Sequence, residues 1–132
     1  MAINLIFTNE TQEKIDENLF TSLIPKIKAD GEVSLAIVDD ETIQALNKKH
    51  RKKDAPTDVL SFVYSESEAF PGENLLGEIY ISIDTAKRQA ENLEDELQFL
   101  FIHGVLHLLG HTHETDEKYE KMMGEARSIL GR

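Results

Sequence analysis

Residues 97 to 109 read LQFLFIHGVLHLL, a stretch apolar almost all the way round a helix. A helix with no polar face belongs in the interior, so the rest of the chain has to be arranged around it. Two histidines, His103 and His107, lie inside this stretch, and each needs a partner because an unpaired buried polar group costs about 1 to 3 kcal/mol. Their i, i+4 spacing sets them side by side on one face, roughly 5 to 6 Å apart at the β-carbons. Two imidazoles so placed can converge on one ion. Gly110 can end the helix in the left-handed conformation, and the returning chain can deliver His113 as a third ligand. Three neutral nitrogens and an open position form the shell of a catalytic zinc. His111, on the turn itself, reads as a spare histidine that is exposed rather than ligating.

The absence of one residue selects among the reactions such a site could run. Zinc proteases of the HExxH type carry a glutamate after the first histidine, which takes a proton from water and passes it to the leaving amine. Here that position is Gly104. Peptide hydrolysis is therefore disfavoured, and hydrolysis of a phosphodiester is the better match, because a metal polarises the phosphoryl oxygen while a cation stabilises the growing charge. Arg51 is the candidate for that cation.

Composition narrows the setting. The chain has 132 residues, the size of one domain. It has no cysteine, so histidine and carboxylate are the ligands left for a metal. No apolar run approaches the roughly 20 residues of a membrane span, and the start, MAINLIFTNE, lacks the pattern of a secretory signal. A cytoplasmic protein with no membrane partner is the expectation. The net charge of −11 argues against nonspecific binding of polyanions. Yet Lys48, Lys49, Arg51, Lys52 and Lys53 are packed into KKHRKK, residues 48 to 53, and one concentrated basic patch can hold an anion locally.

Hydrophobic periodicity predicts a strand over residues 2 to 8, then a helix opened by a capping box at Asn9 and running toward Gly31, kinked or divided at Pro25. A strand over 33–38, a helix over 39–50, and strands over 59–64 and 77–83 follow, the last two separated by a polar loop containing PG. Asp84 or Thr85 is expected to cap the next helix. A further helix is expected over about 94–109, and a last one begins at Thr115. Four strands and about five helices make one α+β or α/β arrangement.

Three separated blocks resemble a known family. HGVLHLLGHTH, residues 103 to 113, is similar to the H-G-x-L-H-L-x-G-x-D-H signature of the YbeY family, bacterial metal-dependent endoribonucleases of ribosomal RNA maturation. LNKKHRKKDAPTDVLSF (46–62) and LLGEIYIS (75–82) resemble two further blocks. The sequence departs from the family pattern at Thr112 and Glu78, where aspartate is usual, and at His50, where tyrosine is usual. The resemblance implies an α+β fold, a small, mostly parallel mixed sheet packed with helices. It also implies a zinc-type site made by His103, His107 and His113 with Arg51 beside it, the ion being zinc or another divalent transition metal. The implied activity is cleavage of single-stranded RNA, in maturation of small-subunit ribosomal RNA and in ribosome quality control. The ribosome or its small subunit is the implied partner, and the acidic surface, whose carboxylates repel RNA, suggests that the ribosome or a helper protein has to present the strand.

Two other readings belong beside this one. A zinc protease or amidase would need a base from elsewhere, Glu78 or Glu114; a noncatalytic ribosome-binding factor would use the metal only as a structural staple. Lys48, Lys49, Lys52 and Lys53 are read as phosphate-positioning contacts. Thr57 and Asp58 are read as fixing the turn into the third strand, and Glu91, Glu94, Asp95 and Glu96 as a solvated helix junction.

Overall fold

The structure is a computed structural model that describes residues 2–64 and 75–132. Its centre is a four-stranded sheet built from β1 (Ile3–Asn9), β2 (Gly31–Val38), β3 (Val59–Val63) and β4 (Leu75–Ser82), in the order β1-β2-β4-β3. β1 pairs with β2 and β2 with β4 in parallel, whereas β3 runs antiparallel along β4 as an edge strand. Around the sheet lie α1 (Asn18–Thr21), α2 (Asp40–Arg51), α3 (Ile83–Gln89), α4 (Leu93–Leu108) and α5 (Asp116–Leu130). The architecture is α+β with a mixed, mostly parallel sheet, as the sequence pattern and the resemblance implied. The expected PG loop falls outside the described residues.

The apolar helix is α4, and it takes the central position its composition demands. Asn92 caps it by accepting from the Asp95 N–H at 2.9 Å, and Glu94, Asp95 and Glu96 fill the first turn where the dipole favours acids. One face lies on β3 and β4, with α5 and α1 flanking the helix. Phe101, Ile102 and Val105 have no exposed surface, and neither do Val33, Leu35, Ile37, Ile79 and Ile81 of the sheet beneath. At about 1.5 to 3 kcal/mol for each large side chain removed from water, this layer dominates the stability. The opposite face of the sheet is covered by α2 over a smaller cluster of Ala36, Val38, Ile43 and Leu60.

Gly104 has a packing role at this interface. A β-carbon there would lie 2.9 to 3.1 Å from three side-chain carbons of Ile79. The position that carries a glutamate in HExxH proteases therefore faces β4, and a glycine lets helix and sheet approach.

Two expectations are corrected. The helix from Asn9 toward Gly31 does not form. Asn9 ends β1, and its Oδ1 accepts from the Thr11 N–H at 3.0 Å and the Thr11 hydroxyl at 2.7 Å while its Nδ2 donates to the Glu13 carbonyl at 2.7 Å. The residues read as a capping box make an Asx turn instead. Only α1 is α-helical in this segment, and Pro25 sits in the first turn of a 3₁₀ turn, Ile24–Lys26. Burial holds the segment in place: Phe20 is wholly enclosed, with ring centroids 5.6 Å from Phe7 and 5.3 Å from Phe101. The cap of α3 is Ser82, not Asp84 or Thr85, and Ile83 opens the helix rather than ending the strand. The Ser82 hydroxyl accepts from the Thr85 N–H and donates to Asp40 at 2.6 Å, while Asp84 accepts from the Asp40 N–H at 2.9 Å. Each helix start thus borrows groups from the other.

Candidate metal centre

His103 and His107 project from the last two turns of α4, with Nε2 atoms 3.0 Å apart. Beyond Leu108 the helix closes with the bonds of a Schellman motif. The Gly110 N–H donates to the His107 carbonyl at 3.1 Å, and the His111 N–H to the Leu106 carbonyl at 2.9 Å. Gly110 has φ of +99°, a conformation costly for a residue with a β-carbon. That reversal sends the chain back over the helix end and brings in His113, so that a ring nitrogen from each of the three histidines lies within 4.8 Å of the others.

The donor set fits one tetrahedral ion. Zinc–nitrogen bonds of about 2.0–2.1 Å at tetrahedral angles put ligand nitrogens roughly 3.3 Å apart, close to the spacing of His103 and His107. Ligation also needs neutral rings. Burial pushes the pKa of His103 below the ordinary histidine value, opposed by the negative charge of Asp58 and reinforced by His113. Burial again comes first for His107, reinforced by His103 and His113, opposed by a hydrogen bond with the main chain of His111, and reinforced by Arg51. His113 itself is exposed. Beside it the Thr112 hydroxyl is buried with no hydrogen-bond partner among the described residues.

The three histidines open onto a cleft of about 420 Å³ whose other wall is the edge strand β3. Alternation along VLSFV sends Val59, Ser61 and Val63 to this side, and Leu60 and Phe62 to the α2 side. Arg51, the last residue of α2, reaches across that edge. Its Nη2 donates to the Ser61 carbonyl at 2.9 Å, and its guanidinium carbon lies 5.7 Å from the Phe62 ring centroid. Lys52 then turns the chain in the left-handed conformation, and the buried Asn47 holds the return by donating to the Ala55 carbonyl at 2.9 Å.

Sequence reasoning named four of the residues that meet here: Arg51, His103, His107 and His113. Lys48, Lys49, Lys52 and Lys53 do not line the cleft; all four are exposed, and Lys48 lies 3.9 Å from Asp54. His111 lines it without joining the three nitrogens, and it is half-buried rather than exposed. Asp58 does both of two jobs. It fixes the turn, accepting from the Val59 N–H at 2.7 Å and from Gln89 at 2.9 Å, and it also lines the cleft as its carboxylate. Ser61 was missed altogether, although the period-2 alternation of its strand placed it on the same side as Val59.

The family model described as Endoribonuclease YbeY matches residues 4–132. The chain belongs to the YbeY family. It is 44% identical over 118 residues to the Endoribonuclease YbeY of Pelotomaculum thermopropionicum, covering 80% of this chain and 78% of that one. To the protein of the same name from Geobacillus thermodenitrificans it is 38% identical, over 100% of this chain and 97% of that one. The solution structure of TM1509 from Thermotoga maritima superposes with a TM-score of 0.61 at 28% identity, covering 97% of this chain and 90% of that one.

Of the three blocks that resemble the YbeY signature, residues 46–62 supply Arg51, Asp58 and Ser61, residues 75–82 form β4 beneath the helix, and residues 103–113 supply the histidines. The departures from the YbeY pattern fall at different places. The His50 ring packs 4.9 Å from that of Phe62, Glu78 accepts from the Tyr80 hydroxyl at 3.3 Å, and Thr112 carries the hidden hydroxyl. No helix among the described residues is long and apolar enough to cross a membrane.

Proposed function

We propose that this chain is a single-strand-specific, metal-dependent endoribonuclease of the cytoplasm, acting in maturation of small-subunit ribosomal RNA and in ribosome quality control, with residues 1–132 working as one domain. The observation that carries the reading is one cleft holding both the three histidines and the guanidinium of Arg51. His103, His107 and His113 would hold zinc or another divalent transition metal. Such an ion, when bound, supplies a Lewis acid for a phosphoryl oxygen and makes a water more acidic.

The protein's own groups do the rest. Burial keeps His103 and His107 neutral and available as ligands. Arg51 spends one N–H on the Ser61 carbonyl and keeps the remaining donors of its planar fork for phosphoryl oxygens. The Phe62 ring beneath it limits how the fork can turn. Charge stabilisation by such a donor accounts for about 10² to 10³ in rate. Lys48, Lys49, Lys52 and Lys53, outside the cleft, position flanking phosphates. With a net charge of −11, the small subunit or a helper protein presents the strand.

Metal-loaded protein is expected to cut single-stranded RNA while leaving duplex RNA and a peptide library intact. The ends report the nucleophile, since a 2′,3′-cyclic phosphate requires attack by the ribose hydroxyl and a 5′-phosphate product points to water. Peptide cleavage without RNA cleavage would instead identify a protease or amidase.

A further inference from the structure

A second groove, of about 380 Å³, lies on the other side of β3. His50, Phe62, Val63, Tyr64, Glu78 and Tyr80 line it. The ring centroids of His50 and Phe62 are 4.9 Å apart, and Phe62 meets Tyr80 edge to face at 5.9 Å. α2 covers the smaller cluster on this face but leaves these rings partly open, and Val63 is 56% exposed. Among the described residues, Glu78 is the acid set among the aromatics, and it accepts a long hydrogen bond, at 3.3 Å, from Tyr80.

The two clefts adjoin across β3. Val63 lines both. Arg51 lines the histidine cleft, yet its guanidinium lies over the Phe62 ring, which belongs to this groove. A strand whose phosphate is held by Arg51 would therefore lay an adjoining base against His50, Phe62 and Tyr80.

We propose that this groove is a nucleobase subsite, selective for guanine, for a nucleotide adjoining the one at the metal centre. The proposal rests on the ribonuclease reading above. Aromatic rings beside a cationic rim are how single-stranded nucleic acid is held, and the carboxylate supplies the choice of base. An ionised Glu78 can only accept hydrogen bonds. Guanine offers two adjacent donors, N1–H and N2–H, on its Watson–Crick edge, a pair that one carboxylate can receive together. Adenine and cytosine set a ring-nitrogen acceptor beside their amino group, and uracil flanks its one N–H with two carbonyls, so each turns a lone pair toward the acid.

The test uses guanosine and adenosine 5′-monophosphates as probes, followed by NMR of the His50 and Tyr80 rings, with wild type, Glu78→Gln and Phe62→Leu. Guanosine monophosphate is expected to bind at least about tenfold more tightly than adenosine monophosphate and to shift those two rings. Glu78→Gln should erase the preference with metal content unchanged, and Phe62→Leu should weaken both nucleotides. Equal binding of the two nucleotides, or shifts confined to His103 and His107, would overturn the proposal. So would self-association of wild type that Phe62→Leu removes, which would make the face a contact between copies. Single-stranded RNA cut with no preference for a neighbouring guanine removes this subsite and leaves the nuclease. Guanine-selective binding without any RNA cleavage upholds the subsite and removes the nuclease reading.

Discussion

At the scale of residues, the proposed site depends on His103 and His107 staying neutral in a half-buried setting. The pKa values of His103 and His107 are lowered, chiefly by burial, from the ordinary 6.5. As pH falls through the ordinary histidine value toward the lower folded values, the unfolded chain takes up protons that the folded chain refuses, so folded stability falls in that window. Above it both states are neutral and the term vanishes. Urea midpoints of metal-free protein at pH 7.5 and 5.5 should therefore differ more, in the direction of acid weakening, for wild type than for His103→Gln. A wild type that loses no more than the variant would contradict the burial argument. The three histidines themselves were legible in the sequence, because i, i+4 spacing and a glycine turn are local features. Asp58 and Ser61 were less so. Their role depends on which side of β3 faces α4, a matter of tertiary packing.

At the scale of elements, two glycines on or beside α4 do different work, and substitution separates them. Gly110→Ala strains a residue at φ of +99° with open space around it, so a loss of about 1 to 2 kcal/mol is expected, together with weaker metal binding because His113 hangs from that turn. Gly104→Ala drives a methyl into Ile79, and overpacking of this kind costs about 1 to 3 kcal/mol without moving His113. Chemical denaturation paired with metal titration distinguishes the two patterns. The elements best anticipated were those with strong caps and long periodicity, α2, α4 and α5, whose ends Asp39, Asn92 and Thr115 fix by side-chain bonds to the first-turn N–H groups. Residues 9 to 31 were misread because an Asx turn and a capping box share the same residue types. There the burial of Phe20 against Phe7 and Phe101 outweighs local preference.

At the scale of the whole molecule, an acidic protein with one basic helix end should bind RNA through few ionic contacts. For single strands, each phosphate contact contributes about 0.7 to the slope of log affinity against log salt. Replacing Lys49 and Lys53 together by alanine should lower the slope by about 1.4 if both touch phosphate, and filter binding over a salt series measures this; an unchanged slope would remove them from the interface. The central claim joins the histidines and Arg51 in a single cleft for cutting RNA. Its most direct test is metal analysis coupled to cleavage of single-stranded RNA by wild type, His107→Ala and Arg51→Ala. The expected result is that His107→Ala loses both metal and cleavage, whereas Arg51→Ala keeps the metal and loses about 10² to 10³ in rate. Cleavage by Arg51→Ala at the wild-type rate, or full activity in a metal-free His107→Ala, would contradict the account.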